Sequence, residues 1–266
     1  VKSLHSGKIK ISGMLQEETV LIDNTEQMII RNGKKQSFQE LKLDPPVSGT
    51  IYGTLLNYKG VLEKLSDALN KDPYKQPPKA PILYIKPANT MIGNKMAIPL
   101  PEGVEELEIG ASLGIVIGRK ATQVRKEEVF NYIAGYTIAN DVSIPHESVY
   151  RPAISQKCRD GFCPVGPWVI ERDAVLNPDA LEIRVYINGE LKQKNTTANL
   201  IRSVSQLVAD VTEFMSLDEG DVLLVGVPEN PPLAKAGDQV RIEIEGIGSL
   251  ENIVVYEEEL AGGVLK

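Results

Sequence analysis

Between residues 8 and 43, apolar positions alternate with polar ones: Ile9 and Ile11, then Val20 and Ile22, each sit between polar neighbours. That period of two is the signature of half-buried strands. Arg31-Asn32-Gly33-Lys34 supplies the Asn-Gly of a tight hairpin, whose central residues need positive φ. Asp44-Pro45-Pro46 then punctuates the chain, since consecutive prolines resist both helix and central strand. The pattern predicts a small β domain over residues 1–47 and a larger domain over 48–266.

In the larger part, the run from Gly49 to Leu56 reads as a strand leading to a short helix over Val61 to Leu69. A polar, proline-punctuated loop from Lys71 to Lys79 is long enough to be a flap over a site. Ile82-Leu83-Tyr84-Ile85 is a strand ending on Lys86-Pro87. Ala111 to Gly118 is a further strand, Lys126 to Tyr132 a short helix, and Tyr136 to Ala139 a strand running into Asn140-Asp141. Leu181 to Ile187 followed by Asn188-Gly189 predicts a hairpin. Apolar residues at helical spacing predict a helix over Leu200 to Met215, with Thr197 or Asn199 as its N-cap. Val222 to Val227, Val240 to Ile244 and Ile253 to Tyr256 complete the strands, with Gly246-Ile247-Gly248 as turn chemistry. Strands outnumber helices without the alternation of a parallel βαβ sheet, so the expected class is mainly β (α+β), rolled around one core.

With 266 residues and 42% hydrophobic content, the chain can build a sizeable core. Its net charge of -7, with basic residues dispersed, argues against a nucleic-acid partner. No apolar run approaches the roughly 18 residues of a membrane helix, and Val1-Lys2-Ser3-Leu4-His5 lacks a signal-peptide core, so a cytoplasmic protein away from membranes is expected. Cys158 and Cys163 are the only cysteines, and with two histidines they make a poor zinc or haem set. Reduced, packed thiols and no organic cofactor are the expectation.

The candidate chemistry concentrates between Asn140 and Pro164. Lys157, Arg151 and Arg159 place three cations within nine residues, and such crowding needs an anion or carboxylates such as Asp160 and Glu147 to offset it. A solvated loop with internal ion pairs satisfies that need as well as a ligand does. Fixed cations in a partly desolvated pocket suit a small, carboxylate-rich anion. Asp141 at a strand end either projects into a cleft or caps a turn. Lys86 before a proline is by default a surface lysine. His146 and Glu147 are adjacent and so point apart, which weakens them as an acid–base pair. Glu106-x-Glu108 has the spacing of a metal-binding pair that would work with Asp141, although exposed acidic residues explain it more simply.

Gly114-Ile115-Val116-Ile117-Gly118, the run Gly135 to Ser143, the run Lys157 to Pro167, Asn188-Gly189-Glu190 and the run Gly246 to Asn252 together resemble the fumarylacetoacetate hydrolase family, from about residue 49 to the end. Within it, Tyr74-Lys75-x-Pro77-Pro78-Lys79, Ile85-Lys86-Pro87-x-Asn89-Thr90 and Tyr150-Arg151-Pro152-Ala153-Ile154 resemble the amino-terminal halves of two-part decarboxylase/isomerases of 4-hydroxyphenylacetate breakdown. The resemblance implies a mixed β-sandwich roll with a few short helices. It implies a small anionic 2-oxo or enol acid as substrate, namely 5-oxopent-3-ene-1,2,5-tricarboxylate or 2-hydroxyhepta-2,4-diene-1,7-dioate, and a homodimer or a pairing with a homologous second subunit. Lys157 and Asp141 become the candidate catalytic residues, and Lys86, Arg151, Arg159 and Asp160 the candidate substrate-binding ones. Members hold Mg2+ or a similar cation through a Glu-x-Glu pair and an Asp. Asp141 matches the Asp, whereas Gly110 and Ser112 stand where the glutamates belong, leaving a divalent cation with one of its three carboxylates. Val61 replaces the histidine of Asn-Tyr-x-x-His, and Val225-Gly226-Val227-Pro228 lacks the hydroxyls of Thr-Gly-Thr-Pro. These losses leave two further readings open: a non-catalytic partner of a metal-complete homologue, and a hydrolase cleaving a carbon–carbon bond in an acylpyruvate.

Overall fold

A computed structural model describes residues 4–24, 26–72, 75–146 and 153–262. The amino-terminal alternation becomes an antiparallel meander of β1 (Leu4–Ile11), β2 (Glu18–Asp23), β3 (Met28–Arg31) and β4 (Lys34–Ser37), followed by β5 (Leu43–Asp44). Next come β6 (Ile51–Leu55), helix α1 (Lys59–Leu69), β7 (Ile82–Lys86), β8 (Met91–Ile92), β9 (Ala97–Leu100) and β10 (Leu107–Glu108). The centre holds β11 (Ala111–Ile117), β12 (Ile133–Asn140), the short helix α2 (Ile154–Lys157) and β13 (Cys163–Glu171). The hairpin β14 (Glu182–Ile187) and β15 (Glu190–Thr196), helix α3 (Val204–Phe214), strands β16 (Val222–Leu224), β17 (Leu233–Ala234), β18 (Gln239–Ile244) and β19 (Gly248–Tyr256), and helix α4 (Glu257–Gly262) follow. The fold is thus a mixed, sheet-dominated one, as expected.

The large sheet runs β4-β3-β2-β1-β13-β12-β11-β16-β6-β7, with β5 and β8 attached to β1 and β13. A five-stranded sheet, β15-β14-β18-β19-β9, packs against it. Strand β13 lies where they meet and is buried on both faces from Cys163 to Ile170. Its Trp168 donates to the Ile247 carbonyl at 2.7 Å and receives the Phe38 ring edge-on, with centroids 4.9 Å apart. The proline punctuation at residues 45–46 therefore divides the sequence but not the core. Strand β1 pairs with β13, Gly7 opposite Ile170, and Ile9, Ile22, Ile29 and Phe38 share one apolar cluster with Trp168. Glycine is required at residue 7 because a Cβ there would lie 2.8 Å from the Val169 carbonyl oxygen.

Three features of this topology position the site. Strand β7 forms one edge of the large sheet and carries Tyr84 and Lys86 beside the end of β12. Opposite Tyr84 on β6 stands Gly53, where any Cβ would overlap the tyrosine ring, so the ring lies flat across the sheet. Helix α2 brings Lys157 over the same point.

Candidate functional site

Asp141 follows the last residue of β12, and its surroundings lock it there. Its backbone N–H donates to the Gly110 carbonyl at 2.8 Å, the Asn140 side-chain oxygen accepts from the Gly110 N–H at 3.0 Å, and the Val142 N–H reaches the Phe162 carbonyl at 3.1 Å. The carboxylate is almost wholly enclosed, its side chain 1% exposed. Lys86 Nζ stands 2.8 Å from Oδ1, and Lys157 Nζ 3.1 Å from Oδ2, which also accepts from the Tyr84 hydroxyl. Burial opposes the charged form of Asp141. The ammonium charges of Lys157 and Lys86, with the hydrogen bond from Tyr84, outweigh it and hold the carboxyl far below the usual carboxylate range.

Lys86 differs from its expected role. Its side chain is fully enclosed, and its ammonium donates to the carbonyls of Val142 at 2.9 Å, Lys157 at 2.7 Å and Phe162 at 2.8 Å, in addition to its contact with Asp141. An ammonium has three N–H groups, and all are spent on the protein. Lys86 is thus an internal cation that organises three chain segments around Asp141, and no donor remains for a substrate. A lysine can be this buried because carbonyl dipoles and a carboxylate replace its water.

Lys157 is the accessible member. Its side chain retains 13% exposure, and its ammonium lies 5.1 Å from the Tyr84 ring centroid. Around Asp141 two cations meet one carboxylate, so the cluster carries an excess positive charge, and Lys157 is where it reaches the outside. Arg159 is half-buried and turned toward Glu257 of α4 at 4.0 Å, and Asp160 is exposed and accepts from Asn89 at 2.6 Å. Neither has an ion pair or hydrogen bond with Asp141 or Lys157 among the described residues. Arg151 and Glu147 lie outside the described residues. Both thiols are free. Cys163 is buried, which pushes its pKa up to about 12, and Cys158 lies beside the Ile85 carbonyl at 3.3 Å, its pKa raised chiefly by burial.

The acidic pair separates. Glu106 pairs with Lys235 at 3.2 Å. Glu108 instead bridges to Ser143, with Glu108 N to Ser143 O at 2.8 Å and Ser143 N to Glu108 O at 3.2 Å, and its carboxyl feels the charges of Lys157, His146 and Asp141. His146 keeps Nδ1 3.0 Å from the Ile144 carbonyl oxygen and 3.3 Å from Ser143 Oγ. Tyr84 had no sequence signal beyond an apolar strand. Its partner Gly53 lies on a neighbouring strand, a pairing that local spacing does not reveal.

The described residues around Asp141 do not fit a divalent cation. A Cβ at Gly110 would overlap the Asp141 carbonyl oxygen and lie 3.0 Å from Val227 Cγ2, so no side chain enters from that position with the backbone as it is. Ser112 is buried and its hydroxyl donates to the Gly226 carbonyl at 2.8 Å. Asp141 already faces two ammonium groups and a phenol, and no cluster of three His, Cys, Asp or Glu side chains able to hold a metal occurs among the described residues. Val61 packs against the core, Val225 is buried within it, and no described helix is long and apolar enough to cross a membrane.

Comparison with known proteins places this geometry in context. The sequence profile of the fumarylacetoacetate (FAA) hydrolase C-terminal family matches residues 50–255. The 4-hydroxyphenylacetate degradation bifunctional isomerase/decarboxylase of Escherichia coli is 45% identical over 214 residues, which cover 80% of this chain and 49% of that protein. The chain spans about half the length of the curated relatives it matches first. The mitochondrial oxaloacetate tautomerase of Xenopus laevis is 35% identical over 67% of this chain and 59% of its own. The crystal structure of 2-hydroxyhepta-2,4-diene-1,7-dioate isomerase from Mycobacterium marinum superposes with a TM-score of 0.77 at 27% identity, covering 96% of this chain and 99% of that one.

Proposed function

The chain belongs to the fumarylacetoacetate hydrolase family, and we propose that it isomerises and decarboxylates carboxylate-rich, enolisable 2-oxo acids with a lysine cation in place of a bound metal. Its substrates on this reading are 2-hydroxyhepta-2,4-diene-1,7-dioate and 5-oxopent-3-ene-1,2,5-tricarboxylate. The observation that carries the reading is the Lys157 ammonium, held at the outer face of a buried Asp141–Lys86 pair with positive charge in excess. Names of relatives that include isomerase, decarboxylase and tautomerase support the same chemistry, because each passes through an enol or enolate.

In decarboxylation the carbon–carbon bond to the departing carboxylate breaks, and its electron pair moves through the conjugated system to the 2-oxo oxygen. A fixed ammonium at that oxygen lowers the barrier because it is already oriented when the charge develops. Asp141 keeps Lys157 in place and Tyr84 limits its swing, so little reorganisation is needed. Isomerisation then needs only a proton delivered to carbon and one released from the enol oxygen. Exposed Ile82, Ile85 and Ile154 favour association with a second subunit.

The test is direct. Purified chain, with and without a homologous second subunit, is assayed on both compounds before and after exhaustive chelation. Turnover that survives chelation and falls about 10²–10³-fold in Lys157→Met is expected, the range for removing one oxyanion donor. Turnover that vanishes on chelation, or is unchanged in Lys157→Met, defeats the proposal. The latter result would favour a silent partner subunit, and pyruvate release from an acylpyruvate would favour a hydrolase.

A further inference from the structure

Among the described residues, the charged groups that face Asp141 are committed to partners. Lys86 spends its N–H groups on three carbonyls, Tyr84 donates to Asp141, and Asp141 is held ionised by two ammonium groups. The half-buried carboxyl of Glu108 has no hydrogen bond or ion pair within the described residues, although it lies within electrostatic reach of Lys157, His146 and Asp141. Its backbone is pinned on both sides by the bridge to Ser143, two residues beyond Asp141. Because Gly110 pairs with Asp141 and Glu108 with Ser143, the Glu108 backbone is fixed alongside the Asp141 segment, and an unclaimed carboxyl on it is placed to serve a ligand.

Resting on the function proposed above, we infer that Glu108 is the carboxyl that carries the proton to and from substrate carbon. With Lys157 on the enol oxygen, the acid form of Glu108 gives its proton to the far carbon of the dienol. A C–H bond forms, the two double bonds shift by one position, and the enol oxygen becomes the carbonyl oxygen. The enol O–H proton is given up, through solvent, to return Glu108 to its acid form, so proton and electron counts balance with no oxidant or reductant. Burial raises the pKa of Glu108, with the Asp141 charge acting in the same direction and Lys157 and His146 opposing, which brings a carboxyl closer to the range useful for proton transfer near neutrality. Other groups here are poorer carriers: Cys163 is enclosed and the Tyr84 phenol sits well above its ordinary range, through burial first and Asp141 second.

The full-length chain is assayed on 2-hydroxyhepta-2,4-diene-1,7-dioate as parent, Glu108→Gln, Glu108→Ala and His146→Gln. Glu108→Gln should lower kcat by about 10²-fold or more, the usual scale of acid–base catalysis, with KM within about threefold. Formate should return part of the kcat lost in Glu108→Ala, which a purely structural role would not allow. In D2O the parent should place deuterium on one face of the new C–H centre, and the residual product of Glu108→Gln should be unselective. Glu108→Gln within about threefold of parental kcat, a loss confined to KM, absent formate rescue, or a larger effect from His146→Gln each overturns the assignment. An inactive parent overturns the proposed function itself, and the role of Glu108 with it.

Discussion

Replacing Asp141 by Asn tests the electrostatic centre most sharply. The substitution keeps the shape of the side chain and removes the charge that two ammonium groups face, one of them fully enclosed. Removing one partner of a buried pair costs about 3–5 kcal/mol because the other charge is left uncompensated. Lys86 retains three carbonyls at 2.7–2.9 Å and Lys157 can turn to water, so the lower end applies here, about 3 kcal/mol. For a chain of this size that is a drop of about 6–12 °C in Tm. Urea unfolding of parent and variant, followed by fluorescence of Trp168, gives the difference directly. Its pH dependence has a definite sign. The folded-state pKa of Asp141 is depressed, so its contribution is complete above the unfolded carboxylate's pKa of about 3.9 and is lost only as pH falls through the lower folded value. The stability gap between parent and Asp141→Asn should therefore be level from about pH 8 to pH 5 and close in acid. A gap under about 1 kcal/mol at neutral pH, or one that widens as pH falls, would refute the reasoning.

Gly110→Ala should destabilise by about 1–3 kcal/mol through overpacking, since its Cβ meets the backbone of Asp141, and the same displacement should lower turnover by moving the carboxylate; urea midpoints and kcat check both. Phe38→Ala removes the ring packed on Trp168 and should cost about 3–5 kcal/mol, with residues 4–44 and the rest of the sheet unfolding in one transition. Two separate transitions in calorimetry would show that the amino-terminal meander is an independent unit after all.

Local pattern was most informative where the physics is local. The Asn188-Gly189 hairpin forms with positive φ at both residues, 52° and 81°, as that turn requires. The short helix after β6 also forms, starting at Lys59. The helix expected over 200–215 begins only at Val204, because Ser203 caps it by accepting from the Gln206 N–H at 3.2 Å, while residues 197–199 form a separate 3-10 turn capped by Thr196. Residues 126–132 wind as a 3-10 helix, with no side-chain cap at Arg125. Partners distant in sequence were out of reach. Nothing near Gly7 announces β13, and nothing near Lys86 announces the three carbonyls that take it inside. Asp141 was readable as a strand-end carboxylate, yet its two possible fates differ only in what other segments bring to it. Glu106 and Glu108 look alike in the sequence, and the structure parts them by giving Glu106 an ion pair with Lys235 and Glu108 none among the described residues.

The enclosed amine on β7 has one more consequence. A cationic group attached to its strand through its own aliphatic stem cannot be diluted away, stripped by a chelator or exchanged for a competing metal ion. It arrives when β7 docks on β6, which means the field around Asp141 is assembled by folding itself rather than by a later loading step.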